Sequence, residues 1–483
     1  MADPMLPTAT FDLVIVGLGS GGLTAAEFAA GLGLRVAAVE QARVGGDCLW
    51  TGCVPSKALL ASARVAHTIR TADRYGIGAA EPHIDLATVW RRVRAVQAQI
   101  AATDDNPEHL REAGIQLYRG TARLTGPNEV AVRPTGDGPE QLLTTRFVLL
   151  CTGSRPHIPP IAGLSTEWCL TSDNLFQIDQ PPARLAVIGG GPMGVEMAQA
   201  LTRLGVQVTV LQRAPTLLPR EEPALVERLA AVLTHEGVAV HYHADVRKIA
   251  GVAANGPYVV HAIVGHEGSR VQVEVDGVLV AAGRTATTNG LGLEALGIAV
   301  SGQGIAVDER GRTAVRTVYA AGDVAGRRLL TNTAGYEAVR AVRDMFFPGK
   351  GTVDALQPWC TFTDPELAHA GLTVAEAEEL YGTDTDVWQL DLAHNDRARA
   401  DGRTEGAMVV ITAKGRVVGA HVLAPAAGEL IHELALAIHR GMRLADLAEL
   451  VHVYPTLASS IGRLATEAAY EKALRLRWLM KRK

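Results

Sequence analysis

The chain has no excess of basic charge, no long uncharged apolar run and few cysteines, and each shortage argues against a class of protein. Its 483 residues include 46 Lys and Arg against 51 Asp and Glu, a net charge of -5, which argues against a nucleic-acid-binding surface. No apolar stretch reaches the length of a membrane span. No basic segment followed by an apolar run precedes Phe11, so no signal peptide is expected. We expect a cytoplasmic protein that binds neither nucleic acid nor membrane.

Only five cysteines are present, and three of them, Cys151, Cys169 and Cys360, stand alone. Such usage fits a reducing compartment, and the isolated three are expected to be small buried residues. The other two, Cys48 and Cys53, are separated by four residues and precede an apolar pattern at helical spacing. This pair is the most informative feature of the chain.

The segment after Cys53 predicts a helix that begins at this cysteine. Pro55 suits a first helical turn, where its missing N–H leaves no hydrogen bond unmade. Cys53 would then lie at the positive end of the helix, with Lys57 one turn further on, and both favour the thiolate. The pattern indicates a pair that cycles between disulfide and dithiol.

Two other interpretations of the pair stay open on spacing alone. A structural zinc site needs about four ligands, and no second Cys-x-x-Cys or nearby His cluster completes one. A stabilising disulfide between Cys48 and Cys53 would close only a very short loop, in a chain with the cysteine usage of the cytosol. Redox chemistry is favoured over both.

A glycine-rich turn near the N-terminus is typical of a dinucleotide site. The apolar strand Asp12–Val16 runs into a turn containing Gly17, Gly19 and Gly22, and an Ala-rich helix follows. These glycines allow a tight turn, close approach of a pyrophosphate and close helix–strand packing. The next strand ends at Glu40, whose carboxylate can accept hydrogen bonds from an adenosine ribose.

The same unit recurs further along the chain. The strand Leu185–Ile188 leads into Gly189, Gly191 and Gly194, and Gln212 stands where the first unit has Glu40. One such motif is a weak signal, but two units in matching register are a strong one. The sequence therefore predicts two dinucleotide sites.

The second unit predicts a preference for NADPH over NADH. Gln212 is followed by Arg213, and Arg220 lies a few residues later. A carboxylate would repel a ribose 2′-phosphate, whereas Gln with Arg accommodates one. The alternative is that both arginines are solvated loop charges.

Together these motifs resemble the pyridine nucleotide–disulfide oxidoreductases, the flavoprotein family that includes glutathione reductase, dihydrolipoamide dehydrogenase and mercuric reductase. The segment Gly46–Lys57 is similar to the active-disulfide signature of the family. Thr317–Asp323 resembles its second FAD motif, and Cys151–Pro156 and Ala281–Arg284 resemble the strand ends where the chain leaves each nucleotide unit. Thr363–Glu366 resembles the start of the interface domain.

The resemblance implies an α/β fold with two Rossmann-like dinucleotide-binding domains and a C-terminal α+β dimerisation domain. Residues 1–155 would bind FAD and carry the redox disulfide, and residues 156–285 would bind NAD(P). Residues 286–352 would return to the FAD domain, and residues 353–483 would form the interface of a homodimer. Two strands around Lys414–Arg416 read as a hairpin within that last part.

The resemblance also assigns residues to each site. Those expected to bind FAD are Gly17, Gly19, Gly22, Glu40, Gly46, Lys57, Ala122, Thr152, Gly153, Ser154, Gly322 and Asp323. Those expected to bind NADPH, with NADH as the weaker alternative, are Gly189, Gly191, Gly194, Gln212, Arg213, Arg220 and Gly283. In the redox pair Cys53 would face the flavin and Cys48 would attack the substrate, while Glu196 would pair with Lys57.

One segment departs from the disulfide-reducing members of the family. Where they carry a His-Pro segment with a following glutamate, this chain has Tyr454 before Pro455, and Ser459 at the glutamate position. His452 matches a different family position. A phenol can donate a proton but is a poor base near neutral pH. Catalysis by Tyr454 is therefore expected to be limited to proton donation.

This departure favours an acceptor that takes electrons from a thiolate without thiol protonation, such as the soft metal ion Hg(II) or a quinone. The C-terminal cysteine pair of mercuric reductase is absent from residues 478–483, and no metal-binding domain precedes Phe11. Efficient mercury detoxification is therefore not expected. The alternative within the class is a thiol-disulfide reductase with Tyr454 as proton donor. The alternative outside it is a non-catalytic partner or redox sensor.

Overall fold

The computed structural model describes residues 10–251, 257–265, 268–349 and 356–475. Residues 478–483, where the sequence lacks the C-terminal cysteine pair of mercuric reductase, lie outside these ranges. Within them the α-helices are α1 Ser20–Gly31, α2 Gly46–Trp50, α3 Cys53–Arg70, α4 Leu86–Thr103, α5 Pro107–Glu112, α6 Ser172–Leu175, α7 Pro192–Arg203, α8 Pro223–His235, α9 Thr331–Phe346, α10 Val374–Tyr381, α11 Asp396–Ala400, α12 Ala427–Arg440 and α13 Ser459–Arg475. The strands are β1 Phe11–Val16, β2 Val36–Glu40, β3 Gln116–Gly126, β4 Glu129–Pro134, β5 Gln141–Leu150, β6 Ser154–Pro156, β7 Arg184–Ile188, β8 Gln207–Leu211, β9 Ala239–His241, β10 Asp245–Gly251, β11 Tyr258–Val264, β12 Ser269–Val275, β13 Gly277–Val280, β14 Arg284–Ala286, β15 Val318–Ala320, β16 Trp359–Thr361, β17 Glu366–Gly371, β18 Thr385–Asp391, β19 Ala407–Ala413 and β20 Arg416–Ala424.

The N-terminal sheet has a parallel core in the order β3-β2-β1-β5-β15, and β4 joins β3 and β5 by antiparallel pairing. Its central strand is apolar on both faces because both faces are covered. Leu13 and Ile15 pack with residues of α1 and α9, whereas Val14 and Val16 pack with residues of β4. The unit predicted from Gly17 to Glu40 is thus a strand–turn–helix–strand unit.

The second sheet repeats this arrangement with parallel strands in the order β13-β7-β8-β9. The helix α7 follows the glycine turn, as the sequence predicts. An antiparallel sheet of β10, β11 and β12 belongs to the same part of the chain. Strands β6 and β14 pair where the chain enters and leaves this part, close to the predicted boundaries at residues 155 and 285, which themselves stay predictions.

The C-terminal part is an antiparallel sheet in the order β16-β17-β20-β19-β18, packed against α12 and α13. Strands β19 and β20 form the predicted hairpin. Lys414 and Gly415 at its tip have φ of 51° and 76°, the left-handed conformation that two-residue hairpin turns require. In the part of the chain that the structure describes, no helix is both long enough and apolar enough to cross a bilayer.

Candidate redox and nucleotide sites

The cysteine pair lies at the junction of two helices. Cys48 is in α2 and Cys53 is the first residue of α3; both are thiols here and both are half-buried. The hydrogen bond from Cys48, together with Thr331 and the charge of Lys57, lowers the pKa of Cys53 to about 6. The same hydrogen bond and burial raise the pKa of Cys48. Near neutral pH the dithiol therefore carries its negative charge on Cys53.

Thr331 is a contact that the sequence did not predict. Its Oγ1 lies 3.2 Å from the Sγ atom of Cys53, and it is the first residue of α9. The N-termini of α3 and α9 thus meet at one sulfur, and each places partial positive charge there. No local signal marks Thr331, because it stands 278 residues away from Cys53 in the chain.

The structure brings Lys57 and Glu196 together, as the family resemblance implies. The Nζ atom of Lys57 lies 3.0 Å from the Oε2 atom of Glu196, whose side chain is only 6% exposed. The other carboxylate oxygen accepts a hydrogen bond from the Phe362 N–H at 2.9 Å. Lys57 also lies over the Phe362 ring, 4.3 Å from its centroid. The buried carboxylate is therefore paired on both oxygens, which removes the cost of an isolated charge.

The first glycine turn has the shape that a bound dinucleotide requires. A Cβ atom on Gly17, whose φ is +94°, would meet the Cys151 carbonyl oxygen at 2.4 Å, and one on Gly22 would meet the Gly17 oxygen at 1.8 Å. Gly46, with φ of +54°, approaches Gly19 so closely that a Cβ atom would lie 2.6 Å from the Gly19 Cα atom. These positions leave a side-chain-free backbone at the N-terminus of α1, which fits a pyrophosphate.

The second turn has the same construction. A Cβ atom on Gly189 would lie 2.4 Å from the Ala281 oxygen, and one on Gly194 would lie 2.1 Å from the Gly189 oxygen. Gly191 precedes α7 as its N-cap. Gly283, with φ of +107°, lies between β13 and β14. The two turns are therefore constrained to glycine by the same backbone collisions.

Glu40 and Gln212 hold equivalent backbone groups. The Oε2 atom of Glu40 accepts from the Leu18 N–H at 2.7 Å, and the Oε1 atom of Gln212 accepts from the Gly190 N–H at 3.0 Å. The amide of Gln212 also donates to the Thr216 oxygen at 2.9 Å. Gln212 thus supports the turn without the negative charge that Glu40 brings to the first site.

The structure places Arg213 and Arg220 in different settings. Both are exposed. Arg220 lines a cavity of about 480 Å³ together with Arg284, Arg327 and Arg328, and Arg213 is not among the lining residues. The cavity therefore groups Arg220 with other cations, whereas Arg213 follows Gln212 directly after the end of β8.

Asp323 belongs to a network that reaches the redox helix. Its half-buried carboxylate accepts a hydrogen bond from Ser154, and partial burial raises its pKa. Arg284 donates to Ser154 Oγ at 2.6 Å and also pairs with Asp47, the neighbour of Cys48. The sequence placed Arg284 in a family motif without giving it a role. This arginine connects the second FAD motif to the segment that carries the cysteines.

Three of the other residues expected at the FAD site, Gly322, Thr152 and Gly153, follow the ends of β15 and β5. Gly322 donates its N–H to buried Glu337 at 2.9 Å. Thr152 and Gly153 lie between β5 and β6, and Thr152 donates its hydroxyl to the Thr287 oxygen at 2.7 Å. Ala122 lies in β3, further out along the N-terminal sheet.

Tyr454 is 71% exposed and donates its hydroxyl to Asp396 at 2.8 Å. This carboxylate acceptor raises the pKa of the phenol. Ser459 stands at the position of the family glutamate and has no carboxylate. Its hydroxyl donates to the Thr456 oxygen. The Nε2 atom of His452 lies 3.0 Å from the Oε1 atom of Glu433. In the sequence pattern Tyr454, and not His452, occupies the position of the family base. Within the described residues, this segment presents a phenol in place of a base.

A dithiol beside two dinucleotide turns and a C-terminal interface domain defines a flavoprotein oxidoreductase. Residues 11–340 match the family model of pyridine nucleotide-disulphide oxidoreductases, and residues 357–465 match the model of their dimerisation domain. The chain belongs to this family. It is an NAD(P)H-dependent flavoprotein disulfide oxidoreductase; members use FAD and NAD(P)H, and the dimerisation domain supports a homodimer.

Curated relatives have several different names. The chain is 35% identical to dihydrolipoyl dehydrogenase of Bacillus subtilis over 76% of this chain and 78% of that protein. It is 34% identical to mercuric reductase of Streptomyces lividans over 84% of each, and 35% identical to glutathione reductase of Burkholderia cepacia over 83% and 85%.

Among solved structures, the HOCl-induced flavoprotein disulfide reductase RclA of Escherichia coli in its Cu(II) complex matches with a TM-score of 0.81 and 27% identity. The match covers 95% of this chain and 99% of that one. The predicted fold class, enzyme class and cofactors are thus confirmed, while the acceptor is left undetermined among these relatives.

Proposed function

We propose that the protein passes electrons from NADPH through FAD and the Cys48–Cys53 pair to an acceptor that reacts with thiolates directly, a soft metal ion such as Hg(II) or a quinone. The observation that carries this proposal is the phenol of Tyr454 in the position of the family base. A cytoplasmic location is proposed with it, since the few cysteines fit a reducing compartment.

Reduction of a small disulfide needs a proton for the leaving thiolate and a base for the reverse step. Tyr454 donates its hydroxyl to Asp396, and this contact raises the pKa of the phenol. The phenol therefore keeps its proton near neutral pH and does not serve as a base. A metal ion needs no proton and avoids this deficiency. A quinone reduced to the quinol takes up two protons, one from the Cys48 thiol and one from solvent.

A divalent mercury ion is such an acceptor, because thiolate is its preferred ligand. The Cys53 thiolate, the Cys48 thiol and Hg(II) give the Cys48–Cys53 disulfide, Hg(0) and one proton: the S–S bond forms, two electrons pass to the metal, and the Cys48 proton is released to solvent. In this scheme Cys48 is the sulfur that meets the metal ion first, and the lowered pKa of Cys53 keeps this flavin-facing sulfur a thiolate once the disulfide is reduced again.

The residues around the pair support this cycle. Bound FAD supplies the two-electron exchange between NADPH and the disulfide. Lys57, held by Glu196, keeps a positive charge near Cys53, and Thr331 contributes a hydroxyl at 3.2 Å. The turn at Gly17–Gly22 and the glycine at position 46 fit the pyrophosphate of FAD.

Two relatives support a metal-ion acceptor. One is the mercuric reductase of Streptomyces lividans, and the other is RclA, whose solved structure is a Cu(II) complex. We extend the proposed acceptors to Cu(II) on this similarity. Two Cu(II) ions would each accept one electron from the dithiol, giving two Cu(I) ions, the disulfide and one proton released from the Cys48 thiol.

The proposal is tested by reducing the holoenzyme with NADPH anaerobically and then adding Hg(II), Cu(II), a quinone or small disulfides in parallel. We expect metal ions or the quinone to reoxidise the enzyme at least about tenfold faster than glutathione disulfide or lipoamide. Tyr454→Phe is expected to change metal reduction less than about twofold, because it removes only a hydroxyl that contacts Asp396.

The second candidate function is a thiol-disulfide reductase in which Tyr454 donates the proton. The exposure of this phenol and the dihydrolipoyl dehydrogenase and glutathione reductase relatives favour it. In that case small disulfides would be the fastest acceptors, and Tyr454→Phe would abolish their turnover. That combination would overturn the metal-ion proposal.

The proposed preference for NADPH is carried by Arg213 next to neutral Gln212. Replacing Arg213 by Leu is expected to lower kcat/KM for NADPH about tenfold and to leave that for NADH within about twofold, since only NADPH has the 2′-phosphate. Arg220→Leu is the matched comparison, because this arginine faces the cation-lined cavity. An unchanged NADPH-to-NADH ratio in Arg213→Leu would contradict the assignment.

A further inference from the structure

A second group of metal-ligating side chains lies outside the redox and nucleotide sites. Glu221, His369 and His421 are 6%, 2% and 0% exposed, and one ligating atom of each lies within 4.8 Å of the others. The two histidines are cross-strand partners in β17 and β20. Glu221 comes from the segment before α8, so the cluster joins the second nucleotide unit to the C-terminal sheet.

Hydrogen bonds to the backbone fix the protonation of both imidazoles. The Nε2 atom of His369 is 2.9 Å from the Gly371 carbonyl oxygen, and that of His421 is 2.9 Å from the Leu372 carbonyl oxygen. A carbonyl oxygen only accepts, so each Nε2 carries a hydrogen. In a neutral imidazole the Nδ1 atom is then a bare lone pair.

Together with the Glu221 carboxylate, the two Nδ1 atoms form a group of hydrogen-bond acceptors that has no donor of its own. The Nδ1 atom of His369 lies 3.2 Å from the Oε2 atom of Glu221. The Nδ1 atom of His421 is buried and has no hydrogen-bond partner. Among the described residues no Lys or Arg pairs with Glu221, and its other oxygen accepts from the Trp359 indole at 2.5 Å. A buried carboxylate beside imidazole lone pairs requires a positive charge.

A proton or a metal ion can supply that charge, and the two differ at His421. A proton on His369 pairs this histidine with Glu221 but leaves the buried Nδ1 atom of His421 without a partner. A metal ion accepts all three lone pairs at once. We propose that Glu221, His369 and His421 bind a divalent transition-metal ion of the Zn(II) type.

The distances are close to those of a tetrahedral zinc site. Zinc–ligand bonds of about 2.0–2.1 Å place ligand atoms about 3.3 Å apart, and Glu221 and His369 are already 3.2 Å apart. The remaining separations, at most 4.8 Å, close with shifts of about 1 Å. Each histidine donates its second ring N–H to a carbonyl, the arrangement that orients metal-ligating imidazoles. Two imidazoles and a carboxylate suit Zn(II) and leave a fourth position for water.

An ion here would tie the nucleotide-binding part to the interface part of the chain. Glu221 follows the loop that carries Arg213 and Arg220, while His369 and His421 belong to the C-terminal sheet. Because the ion would bind only when both parts are in place, it would stabilise the folded state by linkage. The indole of Trp359, stacked on His369 with ring centroids 3.7 Å apart, covers the cluster.

The test is equilibrium dialysis of the oxidised holoenzyme against Zn(II), with bound metal measured by atomic emission. Oxidation closes the Cys48–Cys53 disulfide and removes those thiols as ligands. We expect one tightly bound zinc per chain. Glu221→Gln should weaken binding at least about 100-fold, because the amide carries no charge. Its oxygen can still accept from Trp359 and its NH₂ can donate to His369, so the variant should fold.

Glu222→Gln is the matched control. Glu222 is also buried, but it accepts from the Val374 N–H and lies outside the cluster, so zinc binding should be unchanged. If Glu221→Gln does not fold, His369→Gln takes its place and should weaken zinc binding in the same way. The amide of the introduced glutamine can still donate to the Gly371 oxygen.

Zinc K-edge absorption identifies the ligands. Imidazole scattering with nitrogen and oxygen neighbours at about 2.0–2.1 Å is expected. No retained zinc in the wild type, equal affinity in Glu221→Gln, or sulfur neighbours would each overturn the proposal.

Discussion

Serine at either redox cysteine is expected to lower the rate of acceptor reduction by about 10³-fold or more, while NADPH still reduces the bound FAD. A hydroxyl neither forms the disulfide nor attacks as a thiolate does, so removing one sulfur stops the cycle. Stopped-flow measurement of flavin bleaching separates the first half-reaction from acceptor turnover.

The two variants differ in the thiol that remains. Cys48→Ser keeps Cys53, whose pKa is lowered to about 6 by Cys48, Thr331 and Lys57. The serine hydroxyl can still donate a hydrogen bond to the Cys53 sulfur, and Thr331 and Lys57 also favour the thiolate, so that pKa should stay below the ordinary value of a cysteine. Cys53→Ser keeps Cys48, which loses the neighbour that raises its pKa most. The pH dependence of alkylation of each reduced variant measures both effects, and alkylation of Cys53 should extend to the lower pH.

Cys360→Ser is the matched control for both variants. Burial raises the pKa of this thiol, and its S–H donates to the Thr361 oxygen at 3.6 Å, so acceptor turnover should stay within about twofold of the wild type. If a double serine variant at positions 48 and 53 reduced every acceptor at the original rate, electrons would leave directly from the flavin. The proposed route would then be wrong.

Alanine at Gly22 is expected to abolish FAD binding, whereas alanine at Gly194 is expected to abolish reduction by NADPH with FAD retained. The added Cβ atoms would lie 1.8 Å from the Gly17 oxygen and 2.1 Å from the Gly189 oxygen. Backbone cannot yield to such contacts without moving α1 or α7 away from its turn. The ratio of FAD to protein after gel filtration measures the first effect, and anaerobic NADPH titration measures the second.

Gly31→Ala is the control for the first substitution. Gly31 ends the same helix, α1, and a Cβ atom there would have no neighbour within 4 Å. FAD content should therefore be unchanged and stability equal or slightly higher, since alanine favours a helix. Full FAD content in Gly22→Ala would contradict the assignment of this turn to FAD.

Most of the architecture could be predicted from local patterns in the sequence. The glycine turns at Gly17–Gly22 and Gly189–Gly194 are constrained by collisions within their own strand–turn–helix units, so a short stretch of sequence specifies them. Pro55 and Lys57 similarly lie within two turns of Cys53. The hairpin at Lys414–Gly415 follows from its turn residues. Such features depend on neighbours in the chain.

The contacts that the sequence did not predict depend on distant segments. Thr331 reaches Cys53 only because α9 returns to the N-terminal sheet. Arg284 joins Ser154 and Asp47 across the ribbon of β6 and β14. Sequence spacing grouped Arg220 with Arg213, whereas in the fold Arg220 lines a cavity together with Arg284, Arg327 and Arg328. The hydrophobic periodicity and the turn residues of the sequence contain no information on these contacts between distant segments.

Lys57 lies where three parts of the chain meet. It belongs to the first nucleotide unit, Glu196 belongs to the second, and Phe362 comes from the C-terminal part. A subunit in which these parts have not yet docked would leave the lysine ammonium without its carboxylate and without the ring over which it lies. The position of this cation beside the redox pair is therefore fixed only when all three parts of the chain are in place.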